Sequence, residues 1–486
     1  MKTLPLLILA LALPLAAQDT PTPPIPDKAS LAKLKVDKLY QTLCSTCHAK
    51  DLTGGLGSNL IDGEWKHGSS DTEIAHTITK GNIQLGMAPW EGILSADQIR
   101  ALVIFFREKE KQALTKTINY PTPEPGAVTK TDRASYTVET LVTEGLDHPW
   151  AIAFLPDGSR LITERSGNLR VVGADGKLHP DPVANTPKVI AHGQGGLLEV
   201  AVHPDYKDNG WVYLGFSDGW REKVEGKDKP QPRTTTAVVR GRIKDNKWTD
   251  QQDIWKADKK FYIGSGAHFG TRLVFDKGFL YFVVGERGGN EIAQDLSNPA
   301  GKIFRVHDDG RIPTDNPFTE NKDAVAGLWS YGHRNPQGLA LDPRDGTVFN
   351  TEHGPRGGDE LNRIQPGLNY GWPLVTLGMN YDGTPLGKTS GEGIEPPVTH
   401  WTPSIAVCGL DFYTGSKFPG WQNDLLVGAL KQQEIRRLRV VDHKVTEQEI
   451  ILKNIGRVRD VATGPDGLVY VLLNKPDRLV RLLPAE

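Results

Sequence analysis

The apolar residues of this chain change period near residue 136. Between 28 and 112 they recur at helical spacing. Leu31, Leu34, Leu39 and Leu43 share one stripe of a run opening at Ser30, and Ile99, Leu102, Val103, Phe105 and Phe106 follow Ser95-Ala96-Asp97-Gln98, which predicts a capping box. From Tyr136 onward the runs are short, β-type and separated by Gly, Pro and Asp turns, which predicts an all-β region. A third pattern stands at the start, where Lys2 precedes an apolar run from Leu4 to Leu15 and the small-residue exit Ala16-Ala17-Gln18. It predicts a secretory signal peptide over 1–18, too short to span a bilayer, and so a periplasmic or secreted chain with no stable membrane insertion after cleavage.

Within the β region one unit recurs: an apolar strand, a Pro-Asp-Gly-like turn and a second apolar strand. Its copies begin at Ile152, Val200, Leu273, Leu339, Leu410 and Val461, a spacing of roughly 50–70 residues that suits one four-stranded blade plus loops. A six-bladed β-propeller over 136–486 is the expectation, in place of a sandwich or barrel of unrelated hairpins. The chain is then multidomain, as its 486 residues also suggest: a small all-α domain at 28–112, a linker at 113–135 with Pro121, Pro123 and Pro125, and the propeller. Propellers gather irregular loops around one mouth of the channel, so the polar clusters between repeats should converge there.

A net charge of −2 leaves no basic surplus for a nucleic-acid partner. Two of the three cysteines stand in Cys44-Ser45-Thr46-Cys47-His48. This spacing can bind a haem covalently through both thiols and ligate its iron through His48; a vicinal disulfide or a thioredoxin-type pair has no need of the histidine. Met87, one of three methionines, lies in the bend Gly86-Met87-Ala88-Pro89-Trp90 and can reach the opposite face of the iron, which would raise the reduction potential. His67 and His76 are the other candidates. Cys408 is left without a partner and reads as a small buried apolar residue. Residues 28–112 resemble a class I cytochrome c domain, which implies electron transfer to a downstream periplasmic acceptor.

The polar clusters are Gly266-Ala267-His268-Phe269-Gly270, Tyr331 to Gly338, Glu352 to Glu360, and the cations Lys431, Arg457 and Arg459. Read by residue type, they offer a base, an Arg-Asn hydrogen-bonding pair, a carbonyl- and carboxylate-bearing turn suited to a hard cation, and a grip for carboxylates. Their order along the chain also carries a resemblance. Gly193-Gln194-Gly195-Gly196 is followed by His203-Pro204-Asp205, His268 with Arg272, Tyr331-Gly332-His333-Arg334-Asn335-Pro336, Gly354-Pro355, Asn369-Tyr370-Gly371-Trp372-Pro373, Leu430-Lys431 and Arg457-Val458-Arg459-Asp460. In this order they resemble the soluble quinoprotein sugar dehydrogenases, the glucose/sorbosone and aldose dehydrogenase family that uses pyrroloquinoline quinone.

The resemblance implies oxidation of the anomeric hydroxyl of an aldose to a lactone, with hydride passing to the quinone and electrons on to the fused haem c. It gives His268 the role of base and Arg334, beside Ca²⁺, that of polarising the quinone. Asn335 and Gln194 would orient cofactor or substrate, and Lys431, Arg457 and Arg459 would neutralise the quinone carboxylates. Gly354 and Pro355 would hold Ca²⁺ through their carbonyls, with Asp359 nearby. Ala267 departs from the family pattern, in which an acid before the histidine orients it, and His353 and Arg356 are bulkier and more cationic than expected in a metal turn. Two other functions remain open: a Ca²⁺-dependent lactonase or other hydrolase using His268 to activate water, for which a fused haem has no use, and a non-catalytic binding propeller joined to an electron-transfer cytochrome.

Overall fold

The computed structural model describes residues 26–115 and 123–485, so the predicted signal peptide lies outside the described residues. The first part contains five α-helices: α1 Lys28–Ala32, α2 Val36–Leu43, α3 Ser45–His48, α4 Asp71–Lys80 and α5 Ala96–Leu114. The helical run expected to open at Ser30 is two helices. Asp27 caps the first by accepting from the Ser30 amide at 2.9 Å, and the chain breaks at Lys33–Lys35 before the second. The capping box of α5 forms as the sequence predicts, Ser95 Oγ accepting from Gln98 N and Gln98 Oε1 from Ser95 N. Leu31, Leu39, Tyr40, Ile74, Leu102, Val103 and Phe106 pack into the core of this part.

From Val128 to Pro484 the chain forms six antiparallel sheets arranged as the blades of a propeller. The innermost strands are Pro149–Phe154, Leu197–Val202, Gly270–Asp276, Pro336–Leu341, Val407–Phe412 and Arg457–Thr463, in blades one to six. Each of the six sequence repeats is the innermost hairpin of one blade, because the innermost strands are buried by neighbours on both faces and must be apolar. The sixth blade closes the ring: Ser135–Val142, near the start, pairs with Arg478–Pro484 at the end. A short strand, Val128–Lys130, lies in the stretch expected as linker and pairs with Ser135–Thr137.

One residue ties the six blades together. The guanidinium of Arg272 in blade three donates to Gln337 O (blade four, 2.7 Å), Glu199 Oε2 (blade two, 3.1 Å), Asp460 Oδ1 (2.9 Å) and Arg459 O (3.2 Å) in blade six. It also lies 3.8 Å from Cys408 Sγ in blade five and 4.2 Å from the ring centre of Trp150 in blade one. Burial raises the Glu199 carboxyl, to about 8, and that of Asp460, while the single Arg272 charge that both face favours their ionised forms.

The helical part rests on the propeller. Arg100 of α5 donates to Leu377 O (2.8 Å) and Thr402 Oγ1 (2.6 Å), and Val36 N donates to Gly383 O (2.8 Å). Met379 of the propeller is part of the helical core, 1 % exposed. No helix among the described residues is long and apolar enough to cross a membrane.

Candidate active site and haem cavity

All six innermost strands carry a register shift at their N-terminal ends, between Pro149 and Ile152, Leu197 and Glu199, Gly270 and Leu273, Pro336 and Gly338, Val407 and Leu410, and Val458 and Asp460. Such bulges twist a strand and re-aim its end. By the symmetry of the ring these ends meet at one mouth. Gln194, His268, Arg334 and Asn335 precede an innermost strand, Arg457 and Arg459 start one, and Glu286, Gly354 and Lys431 follow the strand paired with it.

His268 adopts φ 50°, and two contacts hold it there. Its amide donates to Gln194 Oε1 at 2.8 Å, and its Nδ1 lies 2.7 Å from Glu286 Oε1. Glu286 is fully buried and accepts a further hydrogen bond at Oε2 from Gly288 N. The neighbouring Arg287, also buried, braces the histidine loop by donating to Ala267 O, Ser265 O and Thr234 Oγ1, with its guanidinium 3.3 Å from the centre of the Phe269 ring. The orienting acid thus comes from the next strand end rather than from position 267. A Gly-flanked acid after an apolar strand, Val283-Val284-Gly285-Glu286, was its only trace in the sequence.

Beside it stands the loop of blade four, whose Arg334 O accepts from Glu286 N at 2.8 Å. Glu352 binds His333 Nδ1 at 2.9 Å and the Arg334 amide, fixing that loop from beneath. Arg334, 6 % exposed, turns its Nη1 to His353 O (3.0 Å) and Gly354 O (2.8 Å), with its guanidinium 5.1 Å from the Trp372 ring centre. Asn335 Oδ1 accepts from Gly270 N at 3.3 Å and so joins this loop to the His268 strand. His353 faces Arg334, His268 and Arg459; burial first, then the charge of Arg334, pushes its imidazole down to about 3, so it is neutral. Arg334 Nε and His353 Nε2 are buried without a hydrogen-bond partner.

The remaining expected residues are placed as follows. Arg459 donates from Nε to Asn474 Oδ1 (3.0 Å) and lies 3.6 Å from Cys408 Sγ through Nη1. Arg457 is half-buried at the start of its strand, and Lys431 is exposed. Asp359, buried, gives Oδ2 to the amides of Ala406 (2.6 Å) and Val407 (3.4 Å), and burial pushes its carboxyl up to about 6. Among the described residues, His, Cys, Asp or Glu ligand atoms cluster in threes only at Asp147, His148 and Asp477, away from Asp359. The cationic Arg356 is offset by Glu108 of α5, at 2.8 Å from Nε and 2.5 Å from Nη2.

In the helical part a cavity of about 690 Å³ is lined by Cys44, Cys47, His48, Met87 and His67, with Leu102 and Phe106 of α5 at its wall; His76 does not line it. His48 Nδ1 lies 2.8 Å from Ser58 O, which places the proton on Nδ1 and leaves Nε2 for a metal. A side chain at position 57 would meet His48 Cε1 at 2.6 Å, so Gly57 lets the imidazole lie flat against the backbone. Met87 is held by reciprocal backbone bonds with Asn82, at 2.8 and 2.9 Å.

A six-bladed propeller with a base–acid pair and buried cations at one mouth, joined to a domain with a two-thiol, one-imidazole cavity, defines a redox enzyme with its own electron-transfer domain. The family described as glucose/sorbosone dehydrogenase matches residues 146–481, and residues 32–106 match the cbb3-type cytochrome c oxidase subunit III family. Over 350 residues the chain is 46 % identical to the aldose sugar dehydrogenase YliI of Escherichia coli (strain K12), covering 70 % of this chain and 91 % of that protein. It is 30 % identical over 413 residues to quinoprotein glucose dehydrogenase B of Acinetobacter calcoaceticus, covering 68 % and 84 %. The solved PQQ-bound form of the aldose sugar dehydrogenase of Streptomyces coelicolor superposes with a TM-score of 0.58 at 27 % identity, over 72 % of this chain and 98 % of that one. The chain belongs to the glucose/sorbosone dehydrogenase family of quinoprotein sugar dehydrogenases and carries an N-terminal cytochrome c domain of the cbb3 type.

Proposed function

We propose that this protein oxidises the anomeric hydroxyl of aldose sugars to lactones in the periplasm, with pyrroloquinoline quinone and Ca²⁺ at the propeller mouth, and that the electrons leave through a covalent haem c. The reading is carried by the His268–Glu286 pair, set at the mouth where Arg334, His353 and Arg459 also gather. Pyrroloquinoline quinone, when bound, supplies an ortho-quinone able to take up a hydride. The chain does the rest.

The partnerless Arg334 Nε and His353 Nε2, with Lys431, Arg457 and Arg459 around the same mouth, fit a flat ligand bearing several carboxylates. Gly354 O accepts one hydrogen bond and keeps a lone pair, and Pro355 O is held only by contacts of 3.2 Å from Ser404 Oγ and 3.3 Å from Gly358 N. Gly354 O therefore suits a hard cation such as Ca²⁺, and Pro355 O can join it where one of its two long contacts gives way. With Glu286 at Nδ1, the proton of neutral His268 sits on that nitrogen, so Nε2 is the free base that takes the sugar hydroxyl proton. Gln194 and Asn335 hold the loop and strand that carry this base, and Glu286 stabilises the imidazolium that forms. The apolar leader and the haem-attachment motif support an exported enzyme.

The test is to load the haem-containing protein with Ca²⁺ and pyrroloquinoline quinone, add a panel of aldoses, and follow an added dye and the reduced-haem band. Aldose-dependent dye reduction that needs the quinone and is lost in His268→Ala is the expected result. Silence with every aldose would overturn the dehydrogenase reading, and lactone hydrolysis in its place would favour the hydrolase.

A further inference from the structure

We infer that α5 is the bridge between the two redox centres, and that the Arg356–Glu108 ion pair clamps it in place. The inference rests on the dehydrogenase reading above. On α5, Arg100, Ile104 and Glu108 recur at four-residue intervals and share one face, while Leu102 and Phe106 stand two residues away, about 200° around the axis. The first face meets the propeller: Arg100 bonds Leu377 O and Thr402 Oγ1, Glu108 bonds Arg356, and Ile104 lies so close to Gly357 that a Cβ there would meet its Cγ2 at 2.7 Å. The second face is wall of the haem cavity.

The turn from 353 to 358 is likewise two-sided. Inward, the carbonyls of His353 and Gly354 accept from Arg334 at the mouth; outward, Arg356 and Gly357 meet α5. One helix, about 10–12 Å across with its side chains, therefore separates the wall of one site from the wall of the other. The haem domain is docked, not merely tethered. Met379 strengthens the dock: its backbone pairs with Arg356 at 2.8 and 3.1 Å while its side chain is buried in the cytochrome core.

Electrons cross at this contact in two single steps. The reduced quinone gives up two electrons and two protons; each electron converts one Fe(III) haem to Fe(II), the protons pass to solvent, and an external one-electron oxidant of the ferricyanide class reoxidises the haem after each step in turnover. The clamp sets the rate of crossing, not that of sugar oxidation.

The experiment uses full-length, haem-loaded protein with quinone and Ca²⁺, as parent, Glu108→Gln and Glu108→Lys. Glu108→Lys sets like charges face to face and should open the dock. We expect dye-coupled aldose oxidation within about twofold of the parent, and aldose-driven haem reduction slowed roughly tenfold or more as a docked contact becomes a tethered search, with Glu108→Gln between. Without quinone, amide hydrogen exchange should rise across 353–359 and 375–385 in Glu108→Lys. Haem content keeps misfolding visible, and Glu108→Gln carries the test if the charge reversal fails to fold. Haem reduction equal in all three proteins, or dye and haem rates falling together, would overturn the inference alone. No dye reduction in the parent would overturn the dehydrogenase reading and this inference with it.

Discussion

Glu286 Oε1 stands 2.7 Å from His268 Nδ1, and the carboxylate that makes this contact is fully buried. The pair fixes the tautomer and direction of the His268 ring, so, with His268 as the proposed base, replacing the acid by an amide should leave sugar binding intact and disable proton transfer. Glu286→Gln is expected to lower kcat roughly 10²–10³-fold with little change in KM, and to displace the acid limb of the pH–rate profile. Steady-state dye-coupled kinetics across pH check this; a change confined to KM would count against the assignment.

At the haem, the axial ligands rather than the thioethers set the potential. Met87→His should retain covalent haem, since Cys44 and Cys47 are untouched, and lower the midpoint by a sizeable part of the ~0.8 V that axial ligands span. Potentiometric titration of the haem bands measures it, and an unchanged midpoint would show that Met87 is not a ligand.

Arg272 touches the innermost strands of the five other blades, and its loss strands two buried acids. Arg272→Met should cost about 3–5 kcal/mol of unfolding free energy, as expected when one partner of a buried ion pair is removed. Glu199→Gln should cost far less, because burial already raises this carboxyl to about 8 and the amide mimics its protonated form. Denaturant unfolding of both variants separates the cases; equal losses would contradict a Glu199 carboxyl raised by burial.

Asp411 in the fifth blade accepts from Thr463 N (2.6 Å) and Thr463 Oγ1 (2.7 Å), and burial pushes its carboxyl up to about 7 from an ordinary 3.8. Between these values the folded protein holds a proton that the unfolded chain has released. This acid therefore favours folding at low pH, and its contribution falls as pH rises from about 4 to 7. Asp411→Asn should flatten the pH dependence of Tm across that window and leave the variant no less stable than the parent at pH 8. Parallel Tm curves for the two proteins would show that Asp411 titrates normally.

Local signals made much of the architecture legible. The haem-attachment motif is five consecutive residues, the capping box spans Ser95 to Gln98, and each blade's innermost hairpin announces itself through two buried strands and a turn. What was not legible were partnerships across the ring. Ala267 left His268 without an adjacent acid, and an acid following a glycine at a strand end is too common a pattern to single out Glu286 among the 59 acidic residues. Arg356 read as a charge opposed to a metal; its partner Glu108 lies 248 residues earlier.

The sequence by itself determined the two kinds of secondary structure, the sixfold repeat and the two-thiol, one-imidazole motif of the cytochrome c domain, because each depends on residues a few positions apart and on the period at which apolar side chains must face a core. Only the tertiary structure decided which acid orients His268, that one arginine joins the six blades, and that α5 lies against the turn at Gly354. Those contacts form when closure of the ring and docking of the cytochrome bring distant segments within hydrogen-bonding range, and buried charges are then satisfied by whichever opposite charge arrives beside them.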